Sequence, residues 1–209
     1  HLLNLIEKNQ FDTIYHEHFS YLSLIAVNTI FLTNGLSIFD VEEISTHGGS
    51  LRVFAQKKNT GSRDVSERFV TLFKKEQALG LNSADFYADF QDKANKIKYD
   101  LTKFLIKAKE SGKKIIGYGA AAKGSTLLNF AGIKEDLLTF VVDKNPAKQN
   151  KFLPGCLIPI VTEECLKSIK PDYVFILPWN LEHEVVAQLD YIREWGGKFV
   201  TAVPKLRVN

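Results

Sequence analysis

Methionine is absent from these 209 residues and the chain opens at His1, so the expectation is a piece of a longer protein. Cysteine is nearly absent too. Cys156 and Cys165 form no CxxC pair and are too few for a disulfide framework, which points to a reducing compartment, with the cytoplasm as default. No long uninterrupted apolar run occurs. The most hydrophobic window, Leu22 to Val41, is broken by Asn28, Asn34, Gly35 and Asp40, which makes a poor membrane span, and no secretory leader pattern stands ahead of it. A strong excess of one charge is missing as well. The net charge is +3, with a slight acidic surplus over residues 1–58 and the basic surplus beyond, and no basic stripe carries interleaved aromatics. Nucleic acid is thereby excluded as the expected partner, while a small anionic ligand is compatible.

What is present reads as a soluble, globular chain: 45% hydrophobic and 24% charged, long enough for one large or two small cores. Three regions follow one another. In residues 1–58, Phe11-Asp12-Thr13-Ile14 reads as a strand, Tyr21 to about Thr33 has helical apolar spacing stopped by Asn34-Gly35, and Leu36–Val41 and Leu51–Ala55 alternate as an antiparallel pair. The pair flanks His47-Gly48-Gly49-Ser50, whose glycines permit left-handed backbone. Residues 59–112 read as a helical connector, with Ile97, Leu101, Phe104, Leu105 and Ala108 recurring at three and four residues and Ser111-Gly112 as the stop.

Residues 113–209 alternate short apolar strands with helices, the pattern of a parallel sheet with right-handed crossovers. The fold class expected is therefore α/β: a Rossmann-like, mostly parallel sheet flanked by helices. The strand ends carry Gly117-Tyr118-Gly119-Ala120-Ala121-Ala122-Lys123-Gly124, then Asp143-Lys144-Asn145-Pro146, then Pro178-Trp179-Asn180, and ligands of such sheets sit beyond those ends. Glycines, a helix N-terminus and Lys123 together suit a phosphate, to which Lys144, Lys148 and Lys151 add positive potential. Small residues there also serve helix packing alone. Asp143 stands about where a dinucleotide fold keeps its ribose-binding acid, so an NAD- or nucleotide-binding module is the rival reading.

Tyr15-His16-Glu17-His18 places a phenol, two imidazoles and a carboxylate on four consecutive positions. An imidazole beside a carboxylate or phenol is a proton acceptor near neutral pH, the chemistry of carbon-acid deprotonation. The blander reading is a solvated strand end with two polar faces. A zinc site is disfavoured by the spacing, since HExxH sets its histidines a helical turn apart and no later PCxxC occurs.

Taken in order, Tyr15-His16-Glu17-His18-Phe19, His47-Gly48-Gly49-Ser50-Leu51-Arg52, the Gly117–Gly124 turn, Val142-Asp143-Lys144-Asn145-Pro146 and Leu177-Pro178-Trp179-Asn180 resemble the S-adenosylmethionine-dependent sugar C-methyltransferases. The likeness covers the whole chain and corresponds to the carboxyl-terminal half of such enzymes: residues 1–58 are similar to the end of their methyltransferase domain and residues 113–209 to their Rossmann-like domain. It implies methylation of the carbon next to the ketone of a nucleotide-linked deoxysugar of the deoxythymidine diphosphate type. By that resemblance His18 is the base, Glu17 orients it and Tyr15 hydrogen-bonds the sugar or its enolate. Gly117, Gly119, Lys123, Asp143, Lys148 and Asn180 would contact the substrate, with Ser50 and Arg52 nearby. The family's amino-terminal zinc module and glycine-rich methyl-donor turn do not occur in these residues, so the resemblance implies that the chain by itself binds no S-adenosylmethionine or zinc and is inactive.

Overall fold

The computed structural model describes all 209 residues and divides into two compact units, one of His1–Gln10 and His18–Asp92, the other of Phe11–Glu17 and Lys93–Asn209. No helix is long and apolar enough to cross a membrane.

The first unit holds helices α1 (Leu2–Glu7) and α2 (Leu24–Thr33), strands β1 (Leu36–Ile44) and β2 (Ser50–Lys57), helix α3 (Glu67–Leu79) and the start of α4 (Phe90–Glu110). Each boundary has a local cause. The Ser23 side chain accepts from Ala26 N–H to start α2, Ser66 accepts from Phe69 N–H to start α3, and α3 stops at left-handed Gly80. β1 and β2 pair antiparallel with a register break between Ile38 and Asp40. Leu3, Leu24, Ile38, Val41, Leu72 and Leu81 form the core. Glu76, wholly buried, accepts from His1 Nε2 at 2.8 Å and from the N–H groups of Leu24 and Ile25 at 2.9 Å each, so it caps α2 from a distant helix. Burial opposes its ionisation, but these bonds outweigh burial and hold its pKa below the ordinary value.

The second unit is built on β3 (Ile115–Tyr118), α5 (Ala122–Ala131), β4 (Val141–Val142), β5 (Ile160–Val161), α6 (Glu164–Ile169), β6 (Tyr173–Ile176), α7 (Glu182–Gln188), β7 (Lys198–Thr201) and β8 (Arg207–Val208). The sheet order is β5-β4-β3-β6-β7-β8, parallel throughout except for β8. This is the Rossmann-like α/β arrangement, with the order reversing between β3 and β6. Alternation along the strands sorts the helices by face. Ile116, Tyr118, Val174 and Ile176 join Leu166 of α6 and Val185 of α7 in one core layer. On the other face, Phe104 of α4 meets Tyr173 edge-on, and Gly124 of α5 lies against Leu177.

The structure differs from the sequence reading in three places. Phe11–Ile14 forms no strand: Phe11–Thr13 is a 3-10 turn, all three residues buried, and Tyr15–Glu17 continues as bend and turn. No partner strand exists there, so alternation of faces does not apply to Tyr15–His18. The helical stretch between the last two parallel strands is not continuous: it breaks at Leu189 into α7 and a 3-10 segment, Asp190–Trp195. The two-residue strands β5 and β8 and the short α6 went unread, because segments of two to six residues carry too few periods to show a pattern.

Gly117 lies where β3 and β4 run closest: a Cβ there would come within 2.7 Å of Val141 Cγ2 and 3.3 Å of Leu138 Cδ2. Overpacking of this kind costs about 1–3 kcal/mol. Gly117→Ala is therefore expected to lower unfolding stability by about that amount in urea titrations of this chain. An unchanged midpoint would contradict the packing described.

Candidate functional site

The carboxyl ends of β3, β4 and β6 are tied together by their loops. Gly119 turns the chain with φ +84°, and a Cβ there would strike Pro178 Cδ at 2.6 Å, so only glycine serves both the turn and the approach. Asp143 Oδ2 accepts from Ala120 N–H at 2.7 Å and from Lys148 Nζ at 3.2 Å, and its Oδ1 accepts from Asn145 N–H at 2.8 Å. Lys148 Nζ also donates to the Ala120 carbonyl at 2.9 Å. Asp143 thus closes the glycine turn, with three protein donors on its two oxygens. Beside this turn opens a cleft of about 270 Å³, walled by Gly119, Ala121, Lys144, Lys148 and Pro178, with Glu184 and Gln188 of α7 opposite. Ala121 caps α5 without a side-chain bond, leaving that helix start to its own N–H groups.

Lys123 behaves differently from the expectation of a surface cation. Only 7% exposed, it donates from Nζ to Asn180 Oδ1 at 2.7 Å and lies 4.4 Å from the centre of the Trp179 ring. Trp179 Nε1 in turn donates to Oδ2 of Asp12 at 2.7 Å. Asp12 is fully buried, and its Oδ1 has no hydrogen-bond partner. Burial raises the Asp12 pKa to about 6, against the pull of the Trp179 bond and the Lys123 charge. Burial likewise lowers the Lys123 pKa, and Asp12 opposes that shift. An acid and a base are therefore held inside, linked through one indole.

The proposed proton-transfer residues lie at the surface. His16 and Glu17 are exposed, 3.9 Å apart at their nearest charged atoms, while Tyr15 and His18 are half-buried. The His18 and Tyr21 rings meet edge-on with centroids 6.3 Å apart. The chain passes from one unit to the other between Glu17 and His18. In the first unit, the loop after β1 holds three successive residues at positive φ, His47 at 56°, Gly48 at 93° and Gly49 at 125°, pinned by Gln10 Nε2 donating to the Gly48 carbonyl at 2.8 Å. Ser50 Oγ donates back to the Thr46 carbonyl at 3.1 Å. Arg52 pairs across the strands with Glu42 at 2.9 Å, both partners substantially exposed.

Comparison with known proteins decides the family. The profile of the C-methyltransferase C-terminal domain matches residues 45–204. This chain belongs to the C-methyltransferase family. It is also 35% identical over 208 residues to the C-methyltransferase NovU of Streptomyces niveus, an alignment that takes in 100% of this chain and 49% of that protein. The C-methyltransferase chain thus spans about half the length of this curated relative.

The structure brings Gly119, Lys123, Asp143, Lys148 and Asn180 of the C-methyltransferase chain to one edge of its sheet, with Gly117 behind them inside β3. Ser50 and Arg52 belong to the hairpin of the other unit. Asp12 and Trp179 were missed as site residues. An aspartate inside the apolar-flanked run Phe11–Ile14 was the available signal, but its partner stands 167 positions away.

For Asp12 the linkage is explicit. Below about pH 4 the folded and unfolded chains both carry its proton; as pH rises toward 6 the unfolded chain loses it first, so stability falls through that window and stays lower above it. The raised pKa corresponds to about 3 kcal/mol. Relative to Asp12→Asn, which does not titrate, the wild type is expected to lose stability of that order between pH 4 and pH 7 in denaturant titrations. Parallel pH curves would refute the assignment.

Proposed function

We propose that this chain is the carboxyl-terminal part of an S-adenosylmethionine-dependent enzyme that methylates the carbon next to the ketone of a nucleotide-linked deoxysugar, of the deoxythymidine diphosphate type. The observation that carries the reading is the Tyr15–His18 turn, an imidazole–carboxylate–phenol group on an accessible stretch of a chain that belongs throughout to the C-methyltransferases.

A carbon beside a ketone becomes a nucleophile only after losing a proton, and the charge then gathers on the ketone oxygen. His18 takes that proton, Glu17 orients and electrostatically supports the imidazole, and Tyr15 donates to the enolate oxygen. A positioned base needs no more than these partners. S-adenosylmethionine supplies the electrophilic methyl group when bound, and the glycine-rich turn that would hold it does not occur among these residues. Zinc has no ligand set among these residues either, since no three His, Cys, Asp or Glu side chains converge. Both groups belong, on this reading, to the amino-terminal half of the enzyme.

The diphosphate is assigned to the cleft beside Gly119, where Lys144 and the N–H groups of α5 supply donors and Lys148, held by Asp143 and the Ala120 carbonyl, adds positive charge. Lys123 contributes from beneath, holding Asn180 in place, and Gly117 keeps the strand close. Asp143 acts on the turn rather than on the ligand. Ser50 and Arg52 are assigned to the sugar end of the substrate from the hairpin, where Ser50 bonds back to the Thr46 carbonyl and Arg52 pairs with Glu42 across the strands. The NAD-binding alternative would need Asp143 to accept from a ribose as well as from Ala120, Asn145 and Lys148, and the family likeness favours the sugar nucleotide.

In the full-length protein, His18→Asn is expected to cut turnover by roughly two to four decades with substrate affinity nearly intact, the scale of a lost general base; normal turnover would remove His18 from the mechanism. For the 209 residues alone, calorimetry is expected to detect no S-adenosylmethionine binding, and thermal shifts are expected with a deoxythymidine diphosphate sugar but not with NAD. Stabilisation by NAD alone would favour the rival module.

A further inference from the structure

Asp12 takes no part in the proton transfer described above, yet it is a buried carboxylate with one oxygen lacking a partner. Its carboxylate is wholly shielded from water, its Oδ1 finds no donor, and its Oδ2 is bound by Trp179. Burying a charge with half of its acceptor capacity unmet is unfavourable, and a neutral acceptor would bind the indole at lower cost. The position explains the residue. Asp12 lies three residues before Tyr15, in the 3-10 turn that fastens the Phe11–Glu17 segment to this unit: the Phe11 ring packs 5.0 Å from that of Phe130 on α5, and Asp12 grips Trp179. Past Thr13 the chain moves out to the surface, where Ile14, His16 and Glu17 are exposed. Trp179 is itself held from behind, under the Lys123 ammonium and next to Asn180, which Lys123 bonds.

We propose that Asp12 is a positioning residue: through Trp179 it fastens the start of the Tyr15-bearing segment to the loop after β6, so that one indole links the candidate phosphate-binding edge to the stance of Tyr15 and Glu17. The inference rests on the reading that the Tyr15–His18 turn performs the proton abstraction. It extends that reading to a pair of residues that never touch the substrate. The link is directional: any change that loosens Trp179 releases the turn, whereas the sheet and its loops retain their own hydrogen bonds.

The test uses the full-length protein and follows exchange of the hydrogen next to the ketone of a deoxythymidine diphosphate-linked keto-deoxysugar in deuterated water, without methyl donor. Binding of the same sugar nucleotide is measured by calorimetry and the folded fraction by circular dichroism. Asp12→Ala and Trp179→Phe are each expected to slow exchange about a hundredfold, the usual effect of a small misplacement of catalytic groups, with affinity changed less than about threefold. The double variant is expected to be no slower than the worse single one, since both remove the same link. Asp12→Asn is expected to recover most of the rate, because its amide oxygen still accepts from the indole. Should Asp12→Ala fail to fold, Trp179→Phe and Asp12→Asn carry the comparison. The inference is overturned by exchange within about threefold of wild type in Trp179→Phe, by single losses that multiply in the double variant, or by weakened binding in place of slowed exchange. A His18→Asn control separates the two levels: exchange lost there but intact in the Asp12 and Trp179 variants overturns only the positioning role, whereas exchange unaffected by His18→Asn overturns the base assignment beneath it.

Discussion

Lys123 carries its charge into a place that water barely reaches, and the carboxyl edge of the sheet is arranged around that fact. An ammonium in such surroundings needs an acceptor and a polarisable face, and Asn180 and the Trp179 ring provide them. Once Trp179 is fixed, its indole N–H has one orientation, and Asp12 is the acceptor that meets it. The 3-10 turn at Phe11–Thr13, the loop after β6 and the first turn of α5 are therefore mutually dependent. Gly124, whose missing Cβ lets α5 settle against Leu177, is what allows the lysine-bearing helix to lie so near.

A second polar group organises the other half of the same edge. Asp143 looks from its place in the chain like a nucleotide-binding acid, but its oxygens are spent on the Ala120 and Asn145 N–H groups and on Lys148. A carboxylate that closes a loop in this way stabilises the shape of the cleft. The cleft beside it is lined by both charges, with Lys144 and Lys148 on one wall and Glu184 and Gln188 of α7 on the other.

The chain enters the second unit at Phe11 and leaves it after Glu17, so its densest run of titratable side chains coincides with the crossing. His16 and Glu17 are exposed, while Phe11–Thr13 just before them are buried and anchor the segment. The first unit uses a comparable device, with buried Glu76 of α3 tying the start of α2 from a distance. In both units a buried carboxylate joins segments that are far apart in sequence.

Much of this was legible in the residues themselves. Apolar runs separated by helical periodicities specify a parallel sheet, Ser-led helix starts and glycine stops set boundaries, and the order of five short motifs points to the C-methyltransferases, because these signals are local. Phe11–Ile14 was misread as a strand, since four alternating residues cannot show whether a partner strand exists. The partners of Asp12, Lys123 and Asp143 were decided only by folding. Whether a charged group faces solvent, a ligand or another side chain depends on neighbours brought from 20 to 170 positions away, as Asp143 with Ala120 and Asp12 with Trp179 show. Sequence fixes which charges are available; packing determines which of them remain free to act.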